Sequence, residues 1–150
     1  MAEVLGIEVK PLKQKVRVLC AVVEGALMSP TLVDTFVLNS SSPTVAERAY
    51  DLATALATHL QGSNIDTVVI RRAEKPPKAT NTDGPRERLI VEGALVAFAR
   101  HKVPDTRLER GKSLAQSRGL TKGALDALGA AVSPDDHHVA AAAAAIAALP

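Results

Sequence analysis

The chain opens on an alternating stretch, VLGIEV at residues 4–9. In an extended strand Val4, Gly6 and Glu8 share one face, and Leu5, Ile7 and Val9 the other. Two more strand-like runs follow. KVRVLCAVVEG (15–25) alternates at Lys15, Arg17 and Leu19 and then turns wholly apolar; TLVDTFVLN (31–39) is rich in β-branched and aromatic residues. The connections KPLKQ and GALMSP carry turn residues and are short enough for hairpins. The pattern predicts an antiparallel meander over residues 4–39.

The period then changes. Ser41-Ser42-Pro43 breaks the strand, and Thr44 with Glu47 has the spacing of a capping box. Val45, Ala49, Leu52, Ala53, Leu56 and Leu60 recur at helical spacing, and Gly62 is placed to stop the helix. IDTVVI (65–70) reads as a strand covered on both faces. The polar loop RRAEKPPKATNTDGP (71–85) leads into a second helix that starts near Pro85 and runs through RERLIVEGALVAFARHK. VPDTRLERG suits a short fifth strand. KSLAQSRGLTKGALDALG suits one or two short helical segments broken at Gly119. Ser133-Pro134-Asp135-Asp136 starts a last, alanine-rich helix. No internal repeat is present. The order β-β-β-α-β-α-(β)-α predicts an α/β fold, a mixed sheet with helices on its faces and the first strand in the centre.

Composition narrows the picture. The chain has 150 residues, enough for one domain with one full core. Hydrophobic residues make up 47% but aromatics only 2%, so the core is built from Ala, Val, Leu and Ile. A formal charge of +2 does not by itself announce a nucleic-acid binder. The one cysteine, Cys20, excludes an internal disulfide framework and a Cys-rich zinc site, and its apolar surroundings read as those of a buried small hydrophobe. The N-terminus lacks the pattern of a signal peptide, and no run approaches the ~20 apolar residues that span a bilayer. The expectation is a soluble, cytoplasmic protein.

The order of elements and several motifs resemble one family. VLGIEV resembles the opening VLGIDPG of RuvC-type Holliday-junction resolvases, members of the RNase H-like superfamily. IDTVVIRRAE is similar to their fourth strand, and RERLIVEGALVAFARHKVP to the helix after it. GLTKGALDALGAAVSPDDHHVAAAAAAIAAL resembles their C-terminal segment, which ends in DAADALAVAL. The resemblance implies one RNase H-like domain over residues 1–150, with a five-stranded mixed sheet flanked by helices. It also implies phosphodiester cleavage by two divalent cations held on four carboxylates.

Carried over by position, that ligand set is damaged. The first-strand aspartate falls on Glu8, and the fourth-strand glutamate on Arg71, beside Arg72. In the last helix the D-x-x-D positions fall on His138 and Ala141. A guanidinium repels a metal ion and alanine supplies no ligand. Glu8 is then either a metal ligand or the ion-pair partner of Arg71 or Arg72, and the ion pair is the expected reading. Asp135 and Asp136 suit a helix first turn by capping and by the helix dipole. A shift of the last helix by one or two residues would instead bring Asp136 to the metal.

The expected function is a non-catalytic RuvC-like domain that binds DNA or RNA, or a protein partner, with a homodimer also expected and no membrane. On that reading no cofactor is needed. The alternatives are an active Mg²⁺-dependent endonuclease using Glu8, Asp136 and His138, and a scaffold subunit whose alanine-rich helix is an interface. The candidate phosphate contacts are Arg71, Arg72, Lys75, Lys78, Arg86, Arg88, Arg110 and Lys112, supplied by two basic loops with no aromatic residue to stack bases.

Overall fold

In the computed structural model, residues 2–73 and 83–150 are described. Three long strands form the meander: β1 (Glu3–Leu12), β2 (Lys15–Ala26) and β3 (Ser29–Ser40). Each outruns its predicted span, and most of the added residues come from KPLKQ and GALMSP, whose turn-forming residues read as connections. The first turn is only Lys13-Gln14, with Gln14 at φ 55°. Then come α1 (Val45–Leu60), β4 (Ile65–Arg72), α2 (Asp83–Lys102) and β5 (Thr106–Arg110). The rest is helical: α3 (Gly111–Ser117), α4 (Lys122–Val132), one 3-10 turn at Asp136–His138, and α5 (Val139–Ile146). The break between α3 and α4 falls at Gly119, whose φ of 69° suits glycine.

The sheet order is β3-β2-β1-β4-β5, so β1 is central, as its apolar pattern predicts. It runs antiparallel to β2 and parallel to β4, and β4 runs parallel to β5. The alternation of β1 divides two cores. Leu5, Ile7 and Val9 pack with Leu52 and Leu56 of α1 and Val91 and Leu95 of α2. Val4, on the other face, packs with Leu114, Leu125, and Ala143 to Ile146 of α3, α4 and α5.

The alanines of α5 serve close approach rather than bulk. A Cβ on Gly6 would collide with the Ala141 carbonyl and stand 2.8 Å from the Ala145 nitrogen. Gly129 of α4 has the same relation to the Val139 carbonyl (2.6 Å) and the Ala143 nitrogen (2.9 Å). Small residues on three elements thus seat α5 directly on β1 and α4, and its first turn comes down beside Glu8.

Capping fixes where the helices start. The Thr44 hydroxyl accepts from the Glu47 amide, and Thr121 from Ala124. Before α5 the cap is Asp135, whose carboxylate accepts from the His138 amide at 2.9 Å. Ser133 instead donates to the Asp135 carbonyl.

Candidate functional site

Glu8 and Arg71 are direct neighbours on β1 and β4, on the face that α5 covers. The fourth-strand position therefore lies where the resemblance puts it. The expected ion pair between them does not form. Arg71 reaches toward α4 instead: its Nη1 donates to Asp126 Oδ1 at 2.7 Å and its Nη2 to Oδ2 at 3.4 Å. Nη1 also lies 3.5 Å from the Ala140 carbonyl, at the first turn of α5. The guanidinium passes tightly over Gly111, where a Cβ would stand 2.5 Å from Nη2. Arginine is long enough to span the gap from sheet to α4, and its planar fork matches a carboxylate. Arg72 points to the opposite face, so it is no partner for Glu8 either.

Burial favours the neutral form of Asp126, but the hydrogen bond and charge of Arg71, with Lys122 added, outweigh it. The carboxyl stays below the usual range. Among the described residues Glu8 has a loose partner, Lys10 Nζ at 3.9 Å, and its side chain is 15% exposed.

The last-helix candidates separate. His138 is buried, and its Nδ1 lies 2.9 Å from Asp135 Oδ1. Its Nε2 is buried with no hydrogen-bond partner. Hydrogen bonding to His138 holds the Asp135 carboxyl below its ordinary value. Asp136 is exposed, and Ala141 is sealed in the core. Among the described residues no three His, Cys, Asp or Glu side chains come together in a way that would hold a metal ion. The residues present therefore do not fit the two-cation centre: a fixed cation, Arg71, stands in register with Glu8, the carboxylate at the candidate position of β1.

The basic candidates also sort themselves. Arg71 and Arg88, expected as phosphate contacts, hold internal partners. Arg88 Nε donates to Glu92 at 2.9 Å and its Nη2 to the Arg71 carbonyl at 3.3 Å, while Glu92 also accepts from the Ala73 amide. This knot ties the end of β4 to α2. Arg72 and Arg110 are register partners on β4 and β5. Arg110 has its Nε buried without a hydrogen-bond partner, and Lys112 is exposed at the start of α3. Arg86 lines a cleft of about 650 Å³ with Lys13, Gln14, Arg48 and Glu87. The Arg48–Glu87 ion pair, at 2.5 Å, is buried at that cleft. Lys75 and Lys78 lie outside the described residues. Cys20 is fully buried, and burial pushes its thiol far above the ordinary range, which removes it as a nucleophile.

No protein-family model matches the sequence, and no curated protein matches it. Solved structures do. The chain is similar to Thermus thermophilus RuvC, at 16% identity over 97% of this chain and 92% of that one, with a TM-score of 0.69. It is likewise similar to T. thermophilus RuvC in complex with a Holliday junction substrate, at 15% identity over 98% and 92% and a TM-score of 0.68. At this identity the likeness shows the fold: the chain has the RNase H-like fold of RuvC.

Proposed function

We propose that this chain is a non-catalytic RuvC-like domain that binds nucleic acid. The observation that carries the first half is Arg71. Two-metal cleavage needs several anionic oxygens to offset the charge of the ions and fix their spacing. Here a guanidinium anchored on Asp126 lies in register with Glu8, and the D-x-x-D positions hold a buried histidine and a core alanine. The second half rests on the cations at this end of the sheet and on a neighbour of the same fold that holds a Holliday junction substrate.

The test is a pair of assays on one preparation. Branched DNA and RNA–DNA hybrid should survive incubation with Mg²⁺ or Mn²⁺ uncut, while gel shift in EDTA detects binding. Cleavage that Glu8→Gln and Asp136→Asn abolish would establish the nuclease instead.

A protein-binding or self-associating domain is favoured by a separate observation. Leu89 and Ile90, adjacent on α2, stand 51% and 52% exposed. Sedimentation equilibrium that returns the monomer mass at high protein concentration would exclude the homodimer. Among the described residues no helix is long and apolar enough to cross a membrane.

A further inference from the structure

The net charge of +2 hides a polarised molecule. At one end of the sheet Glu3, Glu24 and Asp66 line a shared cleft with Ser63, Asn64 and Ile65. At the other end the strands carry cations. The β1–β2 hairpin supplies Lys10, Lys13, Lys15 and Arg17, none of which belongs to the two basic loops singled out in the sequence.

The register places these side chains. Lys10 pairs directly with Arg17, and Leu12 with Lys15. By alternation Lys10, Leu12, Lys15 and Arg17 lie on the face that holds Glu8, past the point where α5 begins. Beyond α5 this face stays open. Lys10 is 43% exposed, Leu12 is exposed, Lys15 and Arg17 are half-buried, and Arg17's strand neighbour on β3, Asn39, is exposed. The result is a basic ledge, continuous with Glu8 and Arg71 but outside them.

The ledge is costly for the free protein. Like charges placed directly opposite on adjacent strands destabilise a sheet. Lys10 and Arg17 form such a pair. Their compensation is slight: Glu8 at 3.9 Å from Lys10, and the neutral Asn39 accepting from Arg17 Nε at 3.4 Å. An anion between the two strands resolves the repulsion. The ledge has no aromatic side chain, so it offers nothing for unpaired bases to stack on.

We infer that the ledge of Lys10, Lys15 and Arg17 seats the phosphodiester backbone of a DNA duplex, independently of base sequence. The inference rests on the nucleic-acid reading above and gives it a surface. Contact there is electrostatic, so it releases counterions and weakens steeply with salt. The duplex lies across the hairpin, not in the Glu8–Arg71 site.

Two double variants that remove equal charge test it. Lys10→Gln with Arg17→Gln empties the ledge; Arg100→Gln with Lys102→Gln removes two cations at the C-terminal end of α2, at the acidic end of the sheet. Anisotropy with a labelled DNA duplex over a salt series reads the outcome. The ledge variant should bind about tenfold more weakly at low salt and lower the salt slope by about 2, while the control stays near wild type. The ledge variant should also melt no lower than wild type, since it loses a repulsive pair. Equal losses in both variants would overturn the ledge and leave nucleic-acid binding standing. Tighter binding of single strands than of duplex would overturn the duplex assignment. Wild-type protein that binds no duplex, junction or single strand at low salt would overturn the ledge and the reading beneath it.

Discussion

Arg71 decides what the centre of this protein is. It is a buried cation with a 2.7 Å partner, and its partner lies 55 residues away on another element. That distance is why the sequence discloses half of the arrangement. The replacement of an acid by Arg71 is legible in the motif at the end of β4. Asp126 is not, because a helix carboxylate reaching a strand arginine has no local signature, and the nearer acid, Glu8, is the natural guess. The pair makes a specific prediction. Asp126→Asn should destabilise the fold by about 1–3 kcal/mol, because it removes a charge-assisted hydrogen bond and strands a buried guanidinium. The effect depends on pH with a fixed sign. The folded-state carboxyl titrates below its unfolded value, so its contribution is present in full above the unfolded value, about pH 4. It is lost as pH falls through the lower, folded value. Urea unfolding of wild type and variant should show a gap near neutrality that closes in acid. A gap that widened in acid would contradict the assignment. The Lys10–Arg17 pair has no local signature for a different reason. Lys15 and Arg17 read as the polar half of an ordinary alternation, and only a two-residue turn sets Lys10 opposite Arg17. The sequence reads KPLKQ as the connection, which places Lys10 in the turn, whereas β1 runs on to Leu12 and pairs it.

At the level of elements the sequence is more informative. The order of strands and helices, the break at Gly119 and the Thr44 cap all follow from local periodicity and turn chemistry, and the structure has them. The central position of β1 follows because crossover strands must pair beside the meander. The seat of α5 was less visible. An alanine run reads simply as a strong helix former, whereas here it lets the helix backbone approach β1 and α4 without intervening side chains. The consequence is testable at Gly6. Gly6→Ala adds one methyl in the path of the Ala141 carbonyl, and the obstacle is backbone, not a side chain that can swing away. The helix must lift off the strand or the strand must bend. A loss of about 2–4 kcal/mol is expected, at the upper end for overpacking, measured by chemical denaturation. Gly129→Ala should behave similarly, because its obstacles are again backbone atoms of α5 and its approach. Gly111→Ala should cost less, because the nearest atoms there belong to the Arg71 side chain. If Gly6→Ala were neutral, α5 would not be seated as closely as the structure places it.

For the whole molecule, the proposed non-catalytic role turns on how charge is neutralised at the end of the central strands. The chain matches the fold of T. thermophilus RuvC with a TM-score of 0.69. In a metal centre, mobile cations neutralise fixed carboxylates. In this chain the cation is part of the protein, and Asp126 is its counter-ion. That substitution predicts how the molecule responds to divalent ions. Wild-type stability should be nearly indifferent to Mg²⁺ or Mn²⁺, since a ligand stabilises only by binding the folded state. Arg71→Glu should reverse this. It removes the internal cation and gathers a new carboxylate with Glu8 and Asp126, so the folded protein repels itself and melts lower. Added Mn²⁺ should then restore stability, by about 1.4 kcal/mol at a concentration ten times the dissociation constant. Thermal melts of both proteins with and without Mn²⁺ read this directly. A wild-type melt that rises with Mn²⁺ as much as that of the variant would mean that Glu8 already holds a metal beside Arg71. The internal-cation account would then be wrong, whatever the variant did.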